Sequence, residues 1–175
     1  MQRTAARGQR WTTRGCGVLA GVVLMLCFGA RAEAQMAKQG TYTARFGWSA
    51  IGKTIELEKD HMIFVGEYSG VVFNDAGSGF MHGTSWVCPG LNDFVHGLST
   101  AAQGYCVATD KDGDKAFVTW KGHKATEPNK GGGEFQWTGG TGKYTGITGN
   151  NTFEAVVIIP PTAGYSLLKG EWRVP

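Results

Sequence analysis

Residues 133–157 read GEFQWTGGTGKYTGITGNNTFEAVV, and the fold of the chain is decided there. Two runs with strand character, 134–137 and 152–159, flank a segment with glycine at 139, 140, 142, 146 and 149. Glycine at that density permits positive φ and close backbone approach, so the chain can turn sharply and re-enter a sheet. The segment 139–149 is therefore expected to be a turn-rich connection between antiparallel strands, without a ligand role. A phosphate-binding glycine loop would need a strand before it, a helix after it and an acidic residue further on. Here the continuation, NNTFEAVVII, is itself a strand pattern, and no Lys-Ser or Lys-Thr closes a P-loop.

Working outward, short runs rich in β-branched and aromatic residues recur along the chain: 41–48, 54–57, 61–73, 79–88, 105–109, 115–121, 134–137, 152–159 and 165–174. The run 61–73 is interrupted by Gly66 and Gly70 and reads as one bent strand or a hairpin. Asp112-Gly113 between two such runs is a hairpin signal, and Pro160-Pro161 ends the penultimate run. Residues 89–103 form the longest connection and the expected place for a short helical turn. No long 3.6-period stretch follows residue 35, so little helix is expected. About eight short strands in one domain predict an all-β fold, a single eight-stranded antiparallel barrel, lipocalin-like in outline, with a β-sandwich as the alternative. Closure removes the unpaired edges that would otherwise promote aggregation.

The first 34 residues read as a separate element. Arg3, Arg7, Arg10 and Arg14 precede a small and apolar run from Cys16 to Ala30, and alanines follow at 30, 32 and 34. That is the order of a secretory signal peptide. The expected cut lies before Gln35, with a cut before Glu33 as the alternative. The apolar run is shorter than the ~20 residues that span a bilayer, so no membrane insertion of the mature chain is expected. The domain division is 1–34 signal peptide and 35–175 barrel. The leader holds five of the 17 basic residues and one of the 14 acidic ones, so the mature charge is 12 − 13 = −1 rather than +3. The apparent basicity is a targeting feature and carries no indication of nucleic acid. Export to the periplasm or the cell exterior is expected.

Cys16 and Cys27 leave with the leader, and Cys88 and Cys106 remain as an even pair in an oxidising compartment. A disulfide between them is expected, with two buried free thiols as the rival reading. Strand alternation would then place Phe80, His82, Thr84, Trp86 and Cys88 on one side of a strand. No metal site is expected, because His61, His82, His96 and His123 do not stand at ligand spacing. Asp110, Asp112 and Asp114 alternate as calcium-binding oxygens do, but an EF-hand would need glycine and glutamate where Lys115 and Lys121 stand. No cofactor is expected. Glu67, His82 and Glu154, or Ser85 or Cys88 with a histidine, are the available acid–base or nucleophilic groups, and no spacing or elbow motif brings them together. Asn150-Asn151-Thr152 is a formal glycosylation sequon.

The glycine segment resembles the late barrel segment of dirigent proteins and allene oxide cyclases. The residues that carry the resemblance are Gly139, Gly140, Thr141, Gly142, the aromatic Tyr144 two positions on, and Gly149 leading into a strand. Those families share an eight-stranded antiparallel barrel, and the chain is similar to exported bacterial proteins of that superfamily. The resemblance implies the barrel; the families' catalytic constellations are absent from this sequence, so their cyclase or coupling activities are not implied.

Phe64, Tyr68, Trp86, Tyr105 and Trp120 all fall in expected strands. They read either as ordinary barrel core or as the lining of a cavity for a small apolar molecule, since ligand pockets are mostly apolar with a few polar groups. Three functions follow. The first is an exported barrel that binds a small hydrophobic ligand. The second is an isomerase or cyclase acting within the barrel. The third is a structural or interaction protein of the cell envelope.

Overall fold

The computed structural model describes residues 36–175, and the expected signal peptide lies outside them. Eight strands run in chain order: β1 (Gln39–Glu58), β2 (His61–Asn74), β3 (Thr84–Val95), β4 (Leu98–Thr109), β5 (Lys115–Gly122), β6 (Lys130–Gly140), β7 (Gly149–Ile159) and β8 (Ala163–Arg173). Each pairs antiparallel with the next, and β8 returns to β1, closing the barrel. The sandwich alternative falls away.

The inward face follows the period of two that a pleated strand imposes. Along β1, Tyr42, Ala44, Phe46, Trp48 and Ala50 are buried while the residues between them are exposed. Thr84, Trp86 and Cys88 on β3 point the same way, as do Cys106 and Ala108 on β4 and Leu168 and Trp172 on β8. Cys88 and Cys106 are bridged across β3 and β4 and buried inside the barrel.

Three local expectations change, and the alternative left open for residues 61–73 is decided. The runs 41–48 and 54–57 are one strand, because β1 continues through Gly52 and pairs with β2 as far as Glu58. Residues 61–73 are likewise one strand and not a hairpin. Residues 89–103 hold no helical turn: they are the facing halves of β3 and β4, reversed by His96 and Gly97, both at positive φ. The low β-propensity of Pro89, Gly90, Asn92 and Gly104 hid these strands, and cross-strand pairing overrode it. Finally, residues 79–83 are a turn with Met81 at φ 60°, so Phe80 and His82 do not share the inward face of β3. His82 is exposed, and Phe80 folds under the end of the barrel.

That end is closed. Phe80 stacks on Trp172 at 4.4 Å and meets Tyr42 and Trp137 edge-on at 5.1 and 5.5 Å. Met81, Tyr144 and Ile147 complete the plug, and Met81 and Ile147 are almost wholly buried. Burying this much aromatic surface is the main stabilising term at that end. The opposite end is bounded by the β1–β2, β3–β4, β5–β6 and β7–β8 connections and is open.

Candidate functional site: a cavity at the open end

The barrel interior above the aromatic plug holds a cavity of about 480 Å³, inside the range of small-molecule pockets. Its depth is walled by Phe46, Trp48, Phe64, Tyr68, Trp86 and Trp120, with Phe135, Phe153 and Leu168 on the far side. The rings are held by one another. Tyr68 meets Trp48 edge-on at 5.3 Å, Phe64 at 5.7 Å and Trp120 at 6.3 Å, and Trp120 meets Phe153 at 6.3 Å. Glycine on the neighbouring strands makes room for one of them. The indole of Trp120 lies across β3 and β4, where a Cβ on Gly90 or Gly104 would sit 2.4 and 2.7 Å from its atoms. A side chain at either position would clash with Trp120 and with the facing carbonyl of Gln103 or Pro89.

Polar groups are few and sit toward the mouth. Ser99 Oγ donates to Asn92 Oδ1 at 2.6 Å. Burial pushes the Tyr68 phenol above its ordinary pKa, and a side-chain hydrogen bond with Asn92 partly offsets this. Deeper in, Trp48 Nε1 donates to Ser166 Oγ at 3.1 Å, while the buried Trp120 Nε1–H has no hydrogen-bond partner among the described residues. His123, Glu127 and Lys130 line the rim, where Lys130 pairs with Glu127 at 2.7 Å.

Of the five aromatics singled out in the sequence, the fold brings four together: Phe64, Tyr68, Trp86 and Trp120 all line the cavity. Tyr105 does not. It neighbours the inward Cys106 and so points outward, 66% exposed. The lining residues that sequence reasoning missed, Phe46, Trp48, Phe135 and Phe153, carry the same alternating signal. Only the closed topology shows which aromatics sit above the plug and which within it. Cys88 and Cys106 also face the cavity, as their disulfide.

The remaining candidates are dispersed. Glu67, Ser85 and Glu154 lie on the outer surface, where Glu67 accepts from Ser69 Oγ at 2.5 Å. His82 packs against Phe73 on the outside at 5.7 Å. His61 sits between Glu58 and Asp93 at 3.5 and 3.2 Å. Asn150 of the sequon is exposed and accepts from Gln136.

The aspartates of the 110–114 hairpin are engaged internally. Lys143 Nζ stands 2.7 Å from Asp110 and 2.7 Å from Asp112, and the Lys143 backbone N–H donates to Asp114 Oδ2 at 3.1 Å. Burial pushes the Asp110 carboxyl up, but hydrogen bonding to Lys143 and the backbone outweighs this and holds it below the usual range. Hydrogen bonds from Lys111 and Lys143 lower Asp112. Among the described residues no group of three His, Cys, Asp or Glu side chains is arranged to hold a metal ion. The hairpin and the glycine segment 139–149 thus clamp each other at the closed end, away from the cavity.

No protein-family model matches the sequence, and no curated protein matches it. Among solved structures, the chain is similar to a pterocarpan synthase dirigent protein at 10% identity, over 80% of this chain and 88% of that one, with a TM-score of 0.44. The chain folds as a closed eight-stranded antiparallel barrel with one plugged and one open end.

Proposed function

We propose that this is an exported binding protein whose barrel takes up a small, uncharged, largely apolar molecule through its open end. The observation that carries the reading is the cavity of about 480 Å³ walled by aromatic rings and closed below by the Phe80–Trp172 plug. Apolar surface removed from water inside it contributes roughly 25 cal/mol per Å², and Asn92, Ser99 and Tyr68 supply a polar contact near the mouth. Among the described residues the only carboxylate in the lining is Glu127, exposed at the rim and paired with Lys130, so binding is better supported than acid–base catalysis within the barrel. The export part of the proposal rests on the leader pattern in residues 1–34 and on the Cys88–Cys106 disulfide.

The test uses N-phenyl-1-naphthylamine, an uncharged fluorescent probe, with an Ala155→Trp variant. Ala155 lines the cavity opposite Gly131, whose inner face is open space, so the indole fills the void without meeting a side chain there. Wild-type protein should raise the probe's emission saturably, and Ala155→Trp should abolish the rise while keeping a cooperative melt. Equal probe binding by the two proteins would refute the reading.

A further inference from the structure

The β1–β2 hairpin stands above the barrel rim with one edge open. β1 pairs with β2 to its end at Glu58, but with β8 only as far as Ser49. The last bond on that side runs from Ala50 N–H to Thr162 O at 2.7 Å. Main-chain groups alternate in direction along an antiparallel strand, so those of Gly52, Thr54 and Glu56 point the same way as Ala50's, away from β2. No strand or loop covers them among the described residues. The outer face of this stretch is aliphatic. Ile51 is 83% exposed and Ile55 is exposed on the same side, with Lys53 between, and Leu57 is exposed at the irregularity between Glu56 and Glu58. Where the open edge begins, the end of β7 and the turn into β8 expose Ile158 and Ile159 as well. An open, apolar edge of this length is a template for strand pairing.

We propose that a second copy of this chain covers it. The two β1 strands pair antiparallel about a two-fold axis through Thr54, so that Gly52 of each copy faces Glu56 of the other. The segment is its own complement in that register. Ile51 comes opposite Leu57 and, on the outer face, Lys53 opposite Ile55, with no like charges facing. Centring the axis on Lys53 or on Glu56 would set two lysines or two glutamates against each other. Centring it on Ile55 would set Ile51 against Lys59. Three strand pairs about Thr54 supply about six main-chain hydrogen bonds. The overlap stops where the other copy's 159–162 turn begins, so the open stretch and its covering strand have the same length. A two-fold contact of this kind closes on itself and removes both edges.

The test is sedimentation equilibrium of protein purified after expression of the full chain, with two variants. Thr54→Pro removes the N–H at the centre of the open edge and leaves β2's bonds in place. Thr54→Cys places a thiol on the two-fold axis. Wild type should sediment as a dimer, Thr54→Pro as a monomer with an unchanged far-ultraviolet spectrum, and Thr54→Cys should give a reducible covalent dimer on oxidation. A wild-type monomer at 100 μM or a trimer would overturn the proposal. So would the absence of a covalent dimer from folded Thr54→Cys.

Discussion

Replacing Gly142 by alanine tests how the glycine segment holds the closed end. Gly142 has φ +52°, and a Cβ built on it would stand 1.8 Å from Asp114 Oδ1 and 2.1 Å from Asp114 Cγ. Two costs follow. A non-glycine residue in the left-handed region costs roughly 1–2 kcal/mol. The Asp114 carboxylate must also swing away, releasing the Lys143 N–H that it accepts at 3.1 Å. A hydrogen bond to a charged group contributes about 1.5–3 kcal/mol, and the low end applies here because the carboxylate is partly exposed. The sum is about 3 kcal/mol, well above the ~0.5–1 kcal/mol of an ordinary glycine backbone-entropy change, which in this case would favour alanine. At about 2–4 °C per kcal/mol for a domain of this size, the melting temperature should fall by roughly 10 °C. Urea denaturation and thermal melting of Gly142→Ala give the value directly. The double variant with Asp114→Ala isolates the backbone part, because the clash is then gone and the residual loss should shrink to about 1–2 kcal/mol. A Gly142→Ala protein within about 0.5 kcal/mol of wild type would refute the reasoning. So would one that keeps its stability but no longer binds the apolar probe, since the segment would then belong to the binding site.

Other outcomes can be checked on the same protein. Tyr42 buries a hydroxyl with no hydrogen-bond partner among the described residues, and burial raises its pKa. Tyr42→Phe should therefore be neutral or raise the urea midpoint by up to ~1 kcal/mol of stability; a loss above ~2 kcal/mol would mean that the hydroxyl is engaged. Replacing both Cys88 and Cys106 by alanine opens a loop with a sequence separation of 18 and should cost about 3 kcal/mol in denaturant unfolding, whereas single replacements should expose one titratable thiol. Asp110 and Asp112 have lowered folded-state pKa values, so their stabilisation is present above the ordinary carboxylate pKa and is lost as pH falls through the lowered values. The acid-unfolding midpoint should accordingly move to higher pH in Lys143→Met, and an unchanged midpoint would show that Lys143 does not set it. Tyr42, Tyr68 and Tyr144 have raised values, so the stability they hold is complete below the ordinary tyrosine pKa and is lost as pH rises through the raised ones. The phenolate absorbance of these three tyrosines should therefore appear together with unfolding in alkaline solution.

The strand alternation of Tyr42, Ala44, Phe46 and Trp48, the hairpin at Asp112-Gly113, the pairing of two cysteines and the turn-rich character of residues 139–149 were all determined by the sequence alone. Each depends on neighbours in the chain: side-chain period, positive-φ residues, or an even count of cysteines beyond residue 35. Only the tertiary structure decided the rest. Residues 89–103 carry glycine, proline and asparagine and are strands nevertheless, because β2 and β5 supply the hydrogen bonds that local propensity does not. Tyr105 and Trp120 are both strand aromatics, and the pleat sends one to solvent and the other into the cavity. That Lys143 would neutralise Asp110 and Asp112 depends on contacts 33 and 31 residues apart in the chain (143 − 110 and 143 − 112). Which end of the barrel is plugged, and that β1 outruns β8 and leaves an edge bare, are properties of closure itself. Strand lengths that are read one at a time do not say where their partners stop.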